Sequence, residues 1–179
     1  MFVIKRKGEK ETFDLEKIKA FVNRAIQKKP ILNTIDDDKL LNLVEKGIAK
    51  KMKTSDIIPY LAETAASLAT HSYEYGELAG RIETFDLHDH TESSFTEAMR
   101  KLIKDDILDA SFIEKIETYN YDEHIKHEND FKYDIIGLRT LKRSYLLKDI
   151  EGIVERPQYM LMRVSVFLSD TPKEAVEMY

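Results

Sequence analysis

The chain has 179 residues, of which 42% are hydrophobic and 34% charged, so it contains enough apolar material for one or two domains with their own cores. The formal net charge of −5 argues against a protein that binds nucleic acid through overall positive charge. The sequence contains no cysteine, which excludes a disulfide framework and a thiolate metal site in this chain.

The N-terminus does not resemble a targeting or membrane segment. Charged residues at positions 5–7 interrupt the apolar start that a signal peptide would need. The longest apolar runs are shorter than the ~20 residues of a membrane helix. Together with the lack of cysteine, this favours a soluble, cytoplasmic protein with neither membrane nor nucleic-acid partners.

The first predicted element is a β-hairpin. Two segments that carry apolar and β-branched residues, 2–6 and 11–13, flank a short polar loop, 7–10, which contains Gly8. Apolar strands around a polar turn with a glycine are the usual sequence pattern of a hairpin.

Four helices are predicted after the hairpin. Asp14 is a candidate N-cap, and apolar residues then recur at helical spacing as far as the Lys28–Pro30 region. The next helices are predicted at 36–50, from a Thr54 N-cap to about 70, and at 73–88. Residues 1–90 therefore predict a domain in which a small sheet caps four helices, and the fold class is mainly α with a small β element (α+β).

The second half is predicted to be a separate helical segment, 91–179, after a polar hinge near 89–94. Helices are expected at 95–104, 110–117 and 135–143, with a short strand pair at 145–147 and 152–154. Pro157 and Pro172 suit the first positions of two further helices. Met160, Met162 and Phe167 are predicted to be core residues.

Basic residues at the N-terminus form a candidate anion site. Lys5 and Arg6 on the hairpin and Lys17 on the first helix bring positive charge together, and Thr54 opens another helix. A lysine and an arginine suit a triphosphate, and helix N-termini favour anions. The alternative is that these residues are simply solvated, or that they protect a sheet edge from pairing.

The pattern around these residues resembles the ATP-cone, a regulatory domain of ribonucleotide reductases. The resemblance is carried by Val3-Ile4-Lys5-Arg6-x-Gly8, by Phe13-Asp14-x-x-Lys17-Ile18, and by the runs at 62–66 and 78–82. The runs at 133–147 and 155–166 resemble the start of the catalytic domain of the class I reductase large subunit. The whole chain is thus similar to the N-terminal part of that subunit.

The resemblance implies an allosteric nucleotide site. In the family, ATP at the cone favours activity and dATP favours an inactive oligomer, with Mg²⁺ expected beside the triphosphate. Lys5, Arg6 and Lys17 would hold phosphates, Phe13 and Ile18 would contact the base, and Glu11 and Asp14 would contact base or ribose edges. The full expected set is Lys5, Arg6, Glu11, Thr12, Phe13, Asp14, Leu15, Glu16, Lys17 and Thr54.

Three residues depart from the family pattern. Ile58 replaces a polar or charged residue one turn after the threonine, and Asp89 replaces a phosphate-binding lysine. Because a carboxylate repels a triphosphate, Asp89 puts inhibition by dATP in doubt. Lys7 replaces a common aspartate and would partly offset this loss of positive charge.

The resemblance also implies an oxidoreductase, ribonucleoside-diphosphate reductase, that makes deoxyribonucleotides for DNA replication. Its partners would be the remainder of the large subunit, a radical-generating small subunit and further copies of the large subunit. The chemistry needs cysteines, so no catalytic residue is expected here and the chain is interpreted as an inert N-terminal portion. The alternatives are a stand-alone ATP-cone regulator and an unrelated helical interaction domain.

Two groups of residues have metal-ligand side chains: 88–90, and 122–128 with His124 and His127. The second is interpreted as a charged surface stretch, and no metal site is predicted. His88 follows the fourth predicted helix directly, so it is a further candidate for a residue near the nucleotide.

Overall fold

The computed structural model of the chain is mainly helical, which confirms the prediction of a mainly helical fold class. The structure describes residues 2–4, 10–12, 14–48 and 52–179, and for 2–4, 10–12 and 54 it describes the backbone only. Strand β1 (Phe2–Ile4) pairs antiparallel with β2 (Lys10–Thr12), and Val3 lies opposite Glu11.

The helices follow in an order close to the predicted one. Their bounds are α1 Leu15–Ile26, α2 Asp37–Gly47, α3 Thr54–Ser67, α4 Glu74–Asp89, α5 Phe95–Lys104, α6 Phe112–Glu117, α7 Ile135–Ser144, α8 Pro157–Leu168 and α9 Pro172–Met178. Short 3₁₀ segments at Tyr121–His124 and His127–Lys132 lie between α6 and α7.

The chain divides into two compact units. The first unit extends to Asp86 and also includes Phe131–Leu138, and the second unit consists of Leu87–Asp130 and Arg139–Tyr179. Residues 131–138 therefore belong to the first unit, although a long stretch of sequence separates them from its other residues.

The core of the first unit is built from the apolar faces of α1 to α4. The residues that are fully buried there lie at helical spacing on each helix, as the amphipathic pattern predicted. They include Val22, Ala25, Leu40, Val44, Leu61, Ala62, Ala65, Leu78, Ala79 and Ile82. Helix α1 packs against α2, and α2 packs against α3.

A buried arginine of α4 stabilises the end of α1. Arg81 is 1% exposed. Its guanidinium donates hydrogen bonds to the carbonyl oxygens of Ala25 at 3.1 Å, Lys28 at 2.8 Å and Pro30 at 2.6 Å. The last carbonyls of a helix have no partner within the helix, and a positive charge there is favourable. Arg81 therefore provides hydrogen-bond donors to carbonyls at the end of α1 and holds the loop that follows this helix.

A buried glutamate at the start of α4 holds the next part of the same loop. Glu74 accepts hydrogen bonds from the backbone N–H groups of Asn33 and Thr34, each at 2.7 Å, and from the Thr34 hydroxyl at 2.9 Å. The Thr34 backbone hydrogen bond is the largest of the effects that lower the pKa of Glu74. Arg81 and Glu74 therefore hold the α1–α2 connection by its carbonyls and its N–H groups, respectively.

We expect Arg81→Met to destabilise the first unit by about 3 kcal/mol, because three buried or partly buried carbonyls would lose the hydrogen bonds that the guanidinium donates. The measurement is urea unfolding, with hydrogen exchange of α1 amides to assign the loss to this unit. Lys19→Met is the control, since Lys19 makes an exposed ion pair with Asp38 at 3.6 Å and such pairs contribute little. Equal loss in both variants would contradict the role given to Arg81.

Three predictions about local structure are wrong. Helix α3 begins at Thr54 with Lys53 at the N-cap position, so Thr54 is not the N-cap. The strand pair at 145–147 and 152–154 is replaced by an isolated bridge between Lys148 and Ile153, because Asp149 accepts hydrogen bonds from the N–H groups of residues 151 and 152 in a tight turn. Phe167, predicted to be buried, is 69% exposed on α8.

The core of the second unit lies between α5, α6, α8 and α9. It contains the buried residues Phe95, Ala98, Met99, Leu102, Phe112, Ile116, Tyr121, Ile125, Val154, Tyr159, Met162, Val166 and Ala175. Pro157 occupies the first turn of α8, and Thr171 forms a capping box with Glu174 at the start of α9.

A buried polar network connects separate parts of the second unit. Arg156 donates to the Thr91 hydroxyl at 2.8 Å and to the backbone carbonyls of His88 and Thr91, each at 3.1 Å. Its guanidinium also lies 3.4 Å from Nδ1 of His127. Burial is the main cause that lowers the pKa of His127 below its ordinary value of 6.5, and the positive charge of Arg156 lowers it further.

This shift predicts that acid destabilises the second unit. The unfolded chain takes up a proton on His127 at about pH 6.5, whereas the folded chain resists it, so stability falls as the pH drops from 6.5 towards the folded pKa. In urea unfolding between pH 8 and 5.5, His127→Gln should show a shallower loss than the wild type. The control is His71→Gln, at an exposed position of the first unit. A slope unchanged by His127→Gln would contradict the argument.

Candidate functional site

The start of α1 exposes charged side chains to solvent, while an apolar residue of the same turn packs against the core. Asp14 is the N-cap, and its carboxylate accepts a hydrogen bond from the N–H of Glu16 at 3.0 Å. Asp14, Glu16 and Lys17 are exposed, whereas Leu15 packs partly buried against the core. The predicted cap is thus present, and it places one carboxylate of the candidate site at the helix start.

The start of α3 is different, because Lys53 at its N-cap position makes no side-chain capping hydrogen bond. Lys53 is exposed, and its carbonyl accepts from the N–H of Asp56 at 3.0 Å. The first N–H groups of any helix lack partners within it and favour an anion. Lys53 adds a positive side chain at this point. No sequence pattern singles out Lys53, although it directly precedes the predicted residue Thr54.

The other predicted site residues lie at the limits of the described structure. Lys5, Arg6 and Phe13 fall outside the described residues. Glu11 and Thr12 belong to β2, and Thr54 is the first residue of α3, with only the backbone described at each. The convergence of these side chains on one ligand stays a prediction.

Other residues named in the sequence analysis have clear structural surroundings. Ile18 is 8% exposed and part of the first core, so it stabilises α1 from the inside. Ile58 is half-buried and packs against the same core, which accounts for an apolar residue at this position. Asp89 is the last residue of α4, exposed, and a member of the second unit.

The two groups with metal-ligand side chains have other partners. His88 lies with Nε2 at 2.8 Å from the buried carboxylate of Asp130, and its carbonyl accepts from Arg156. Asp122 accepts from the N–H of Phe95 and the hydroxyl of Ser94, and so stabilises the start of α5. Within the described part of the chain, no group of three or more histidines and carboxylates is arranged to hold a metal ion.

None of the described helices is long and apolar enough to cross a membrane.

Comparison with known proteins assigns both parts of the chain to protein families. Residues 1–90, which include the starts of α1 and α3, match the family described as ATP cone domain. The chain belongs to the ATP-cone family. Residues 131–179 match a second family, described as ribonucleotide reductase, all-alpha domain. The resemblance recognised in the sequence is therefore confirmed in both halves of the chain.

Relatives that match over nearly the whole chain are reductase large subunits. The chain is 36% identical to the ribonucleoside-diphosphate reductase large subunit of Dictyostelium discoideum, over 93% of this chain and 21% of that protein. The Arabidopsis thaliana large subunit is also 36% identical, over 93% of this chain and 22% of its own length. The Caenorhabditis elegans large subunit is 34% identical, over 99% of this chain and 24% of its own length. The ATP-cone chain thus spans about a fifth to a quarter of these relatives and resembles their N-terminal region.

The cap of α1 gives a direct test of the site's local structure. Asp14→Ala should destabilise the ATP-cone by about 1 kcal/mol, because the N–H of Glu16 loses its acceptor. Asp14→Asn should leave stability within a few tenths of a kcal/mol, since asparagine caps a helix as well as aspartate does. Thermal or urea unfolding of both variants measures this. Similar losses in the two would show that charge, and not capping, is the contribution of Asp14.

Proposed function

We propose that the ATP-cone of this chain binds ATP and dATP as allosteric effectors, and that the chain is the regulatory portion of a ribonucleoside-diphosphate reductase large subunit. The observation that carries this proposal is family membership over the stretch that contains the starts of α1 and α3. In the structure these starts carry the exposed cations Lys17 and Lys53. The domain proposed for this function is 1–90, with β1 and β2 as its small sheet, and 91–179 is proposed as the start of the catalytic domain.

The proposed ligand lies with its triphosphate among basic side chains. Lys5, Arg6 and Lys17 are assigned to the phosphates, and we add Lys53 because α3 begins there without a side-chain cap. Mg²⁺ fits such a site without a protein cage, because it commonly keeps water and phosphate oxygens as ligands. It would neutralise part of the triphosphate charge near the exposed carboxylates of Asp14 and Glu16.

The nucleoside is assigned to the segment between β2 and α1. Phe13 and the half-buried Leu15 offer apolar contact to the base, whereas Glu11 and Thr12 offer polar contact. Asp14 uses one carboxylate oxygen to cap α1, so contact with a base or ribose edge falls to the other oxygen or to Glu16. These assignments keep the predicted site residues and take into account that Asp14 also caps α1.

The regulated activity belongs to the longer protein that this portion implies. That protein would reduce ribonucleoside diphosphates in the cytoplasm, with a radical supplied by a separate small subunit. ATP and dATP differ by one hydroxyl, so opposite effects require that they favour different assembly states. We therefore propose a homo-oligomer whose state depends on which nucleotide the cone holds. The cysteine-free chain supplies nucleotide binding and no thiol chemistry.

Calorimetry of the chain with ATP and with dATP, each with Mg²⁺, tests the proposal. Both nucleotides should bind, and Lys17→Ala and Lys53→Ala should each weaken binding by about tenfold, the loss of one charge-assisted contact. Lys19→Ala is the matched control, because Lys19 lies two positions further along α1 and pairs with Asp38.

Two results would count against the proposal. The absence of heat with either nucleotide at millimolar concentration would indicate that this cone has lost its ligand. Binding that Lys17→Ala leaves unchanged would refute the assignment of the phosphates to the start of α1.

A further inference from the structure

Residues 131–138, here called the strap, open the reductase-domain match but belong to the compact unit of the ATP-cone. Phe131 is 4% exposed and Ile135 is 7% exposed, and Ile135 is part of the same hydrophobic core as α1 to α4. A segment that buries one apolar side chain in this core and a second one against Phe85 contributes to the stability of the unit. The strap is thus a structural component of the cone.

The surface of helix α4 is complementary in shape to the strap. The ring centres of Phe85 and Phe131 are 4.6 Å apart, with the rings tilted by 56°. One and a half turns earlier on α4, Gly80 faces the backbone of the strap. A methyl group at Gly80 would lie 2.3 Å from the carbonyl oxygen of Tyr133 and 2.7 Å from the carbonyl carbon of Asp134. The strap can therefore lie against α4 only because position 80 has no side chain.

Helix α1 contacts the same aromatic group. The ammonium of Lys28, just after α1, lies 4.3 Å from the ring centre of Phe131. The guanidinium of Arg24 lies 4.2 Å from the ring centre of Phe85, and Phe21 lies 5.4 Å from Phe85. Cations over aromatic faces at these distances attract the ring. The end of α1 opposite the candidate site is thus in contact with the strap through Phe85 and Lys28.

From these contacts we infer that the strap is the coupling element of the cone: a nucleotide that orders the start of α1 also favours a docked strap. This inference rests on the proposed nucleotide binding. Helix α1 has twelve residues, a length of about 18 Å, and Arg81 fixes its far end. Linkage between two binding equilibria is reciprocal. If the nucleotide increases the equilibrium constant for strap docking by some factor, displacement of the strap decreases the affinity for the nucleotide by the same factor.

The test compares two glycines of α4 in the full chain. Gly80→Ala places a methyl group against the strap backbone, whereas alanine is itself favourable within a helix. Gly76→Ala is the matched control, because a methyl group there would lie 3.9 Å from the Ala69 side chain, an ordinary contact. Hydrogen exchange of residues 131–138 reports strap docking, and calorimetry reports ATP affinity.

We expect Gly80→Ala to accelerate exchange of the strap and to weaken ATP binding by roughly fivefold or more, while Gly76→Ala changes neither. In the wild type, ATP should slow exchange of the strap. Fast strap exchange with unchanged ATP affinity would overturn the coupling, and strap exchange unaffected by Gly80→Ala would overturn the docking.

Two further outcomes are distinguishable. If Gly80→Ala unfolds the whole unit, seen as loss of protection in α1, then Phe131→Leu and Lys28→Gln replace it, with the exposed Lys29→Gln as control. Faster strap exchange without a change in ATP affinity in those variants again overturns the coupling. If the wild type binds no ATP, the proposed function fails and the coupling fails with it, whereas the strap exchange of Gly80→Ala still reports whether the segment is docked.

Discussion

The hydrogen bonds of one buried guanidinium determine how the first unit is arranged. Arg81 reaches from α4 to the carbonyls that end α1 and begin the following loop. A buried charge is costly without partners, and here three backbone carbonyls at the end of α1 and in the following loop supply them. The hydrogen bonds between the Arg81 guanidinium and these carbonyls therefore fix the position of α1 relative to α4. The aromatic contacts of Phe85 depend on the same arrangement, because Phe85 lies one turn after Arg81 on α4.

This arrangement has a functional meaning if the start of α1 holds a nucleotide. A regulatory domain must convert a small chemical difference between ligands into a difference between protein states. Rigid elements do this better than flexible ones, because a packed interface has few alternative arrangements. In this cone, α1 carries the candidate site at its start, the Arg81 hydrogen bonds at its end and the Lys28 contact just beyond. Under the proposed coupling, a change at the start of α1 would act on the contacts that Arg81 and Lys28 make at its end.

The helices could be predicted from the sequence because their signals are local. Asp14 is followed by apolar residues at helical spacing, and Pro157 and Pro172 stand where prolines favour helix starts. The strand pair near 145–154 was predicted from apolar residues around a turn, but the Asp149 hydrogen bonds and Gly152, with φ 146°, close the turn too tightly for strands. Phe167 is predicted to be buried because it is a large apolar residue at helical spacing in α8, but that spacing does not specify which face of the helix is covered.

The long-range contacts of the cone could not be predicted in this way. Arg81 looks like an ordinary charged helix residue, and only the fold shows that its partners are the carbonyls at the end of α1. The sequence favours Thr54 over Lys53 as the N-cap of α3, because threonine is the better capping residue by type. The membership of residues 131–138 in the first unit has no periodic signal, because it depends on Gly80 and Phe85 of a distant helix.

The absence of a side chain at position 80 also bears on how such regulatory domains can be exchanged between enzymes. The backbone of 133–134 packs at position 80, so a graft that moves only residues 1–90 would leave out this segment, together with the buried Phe131 and Ile135. A graft that keeps the compact unit intact therefore has to carry two pieces of sequence, residues up to 86 and residues 131–138.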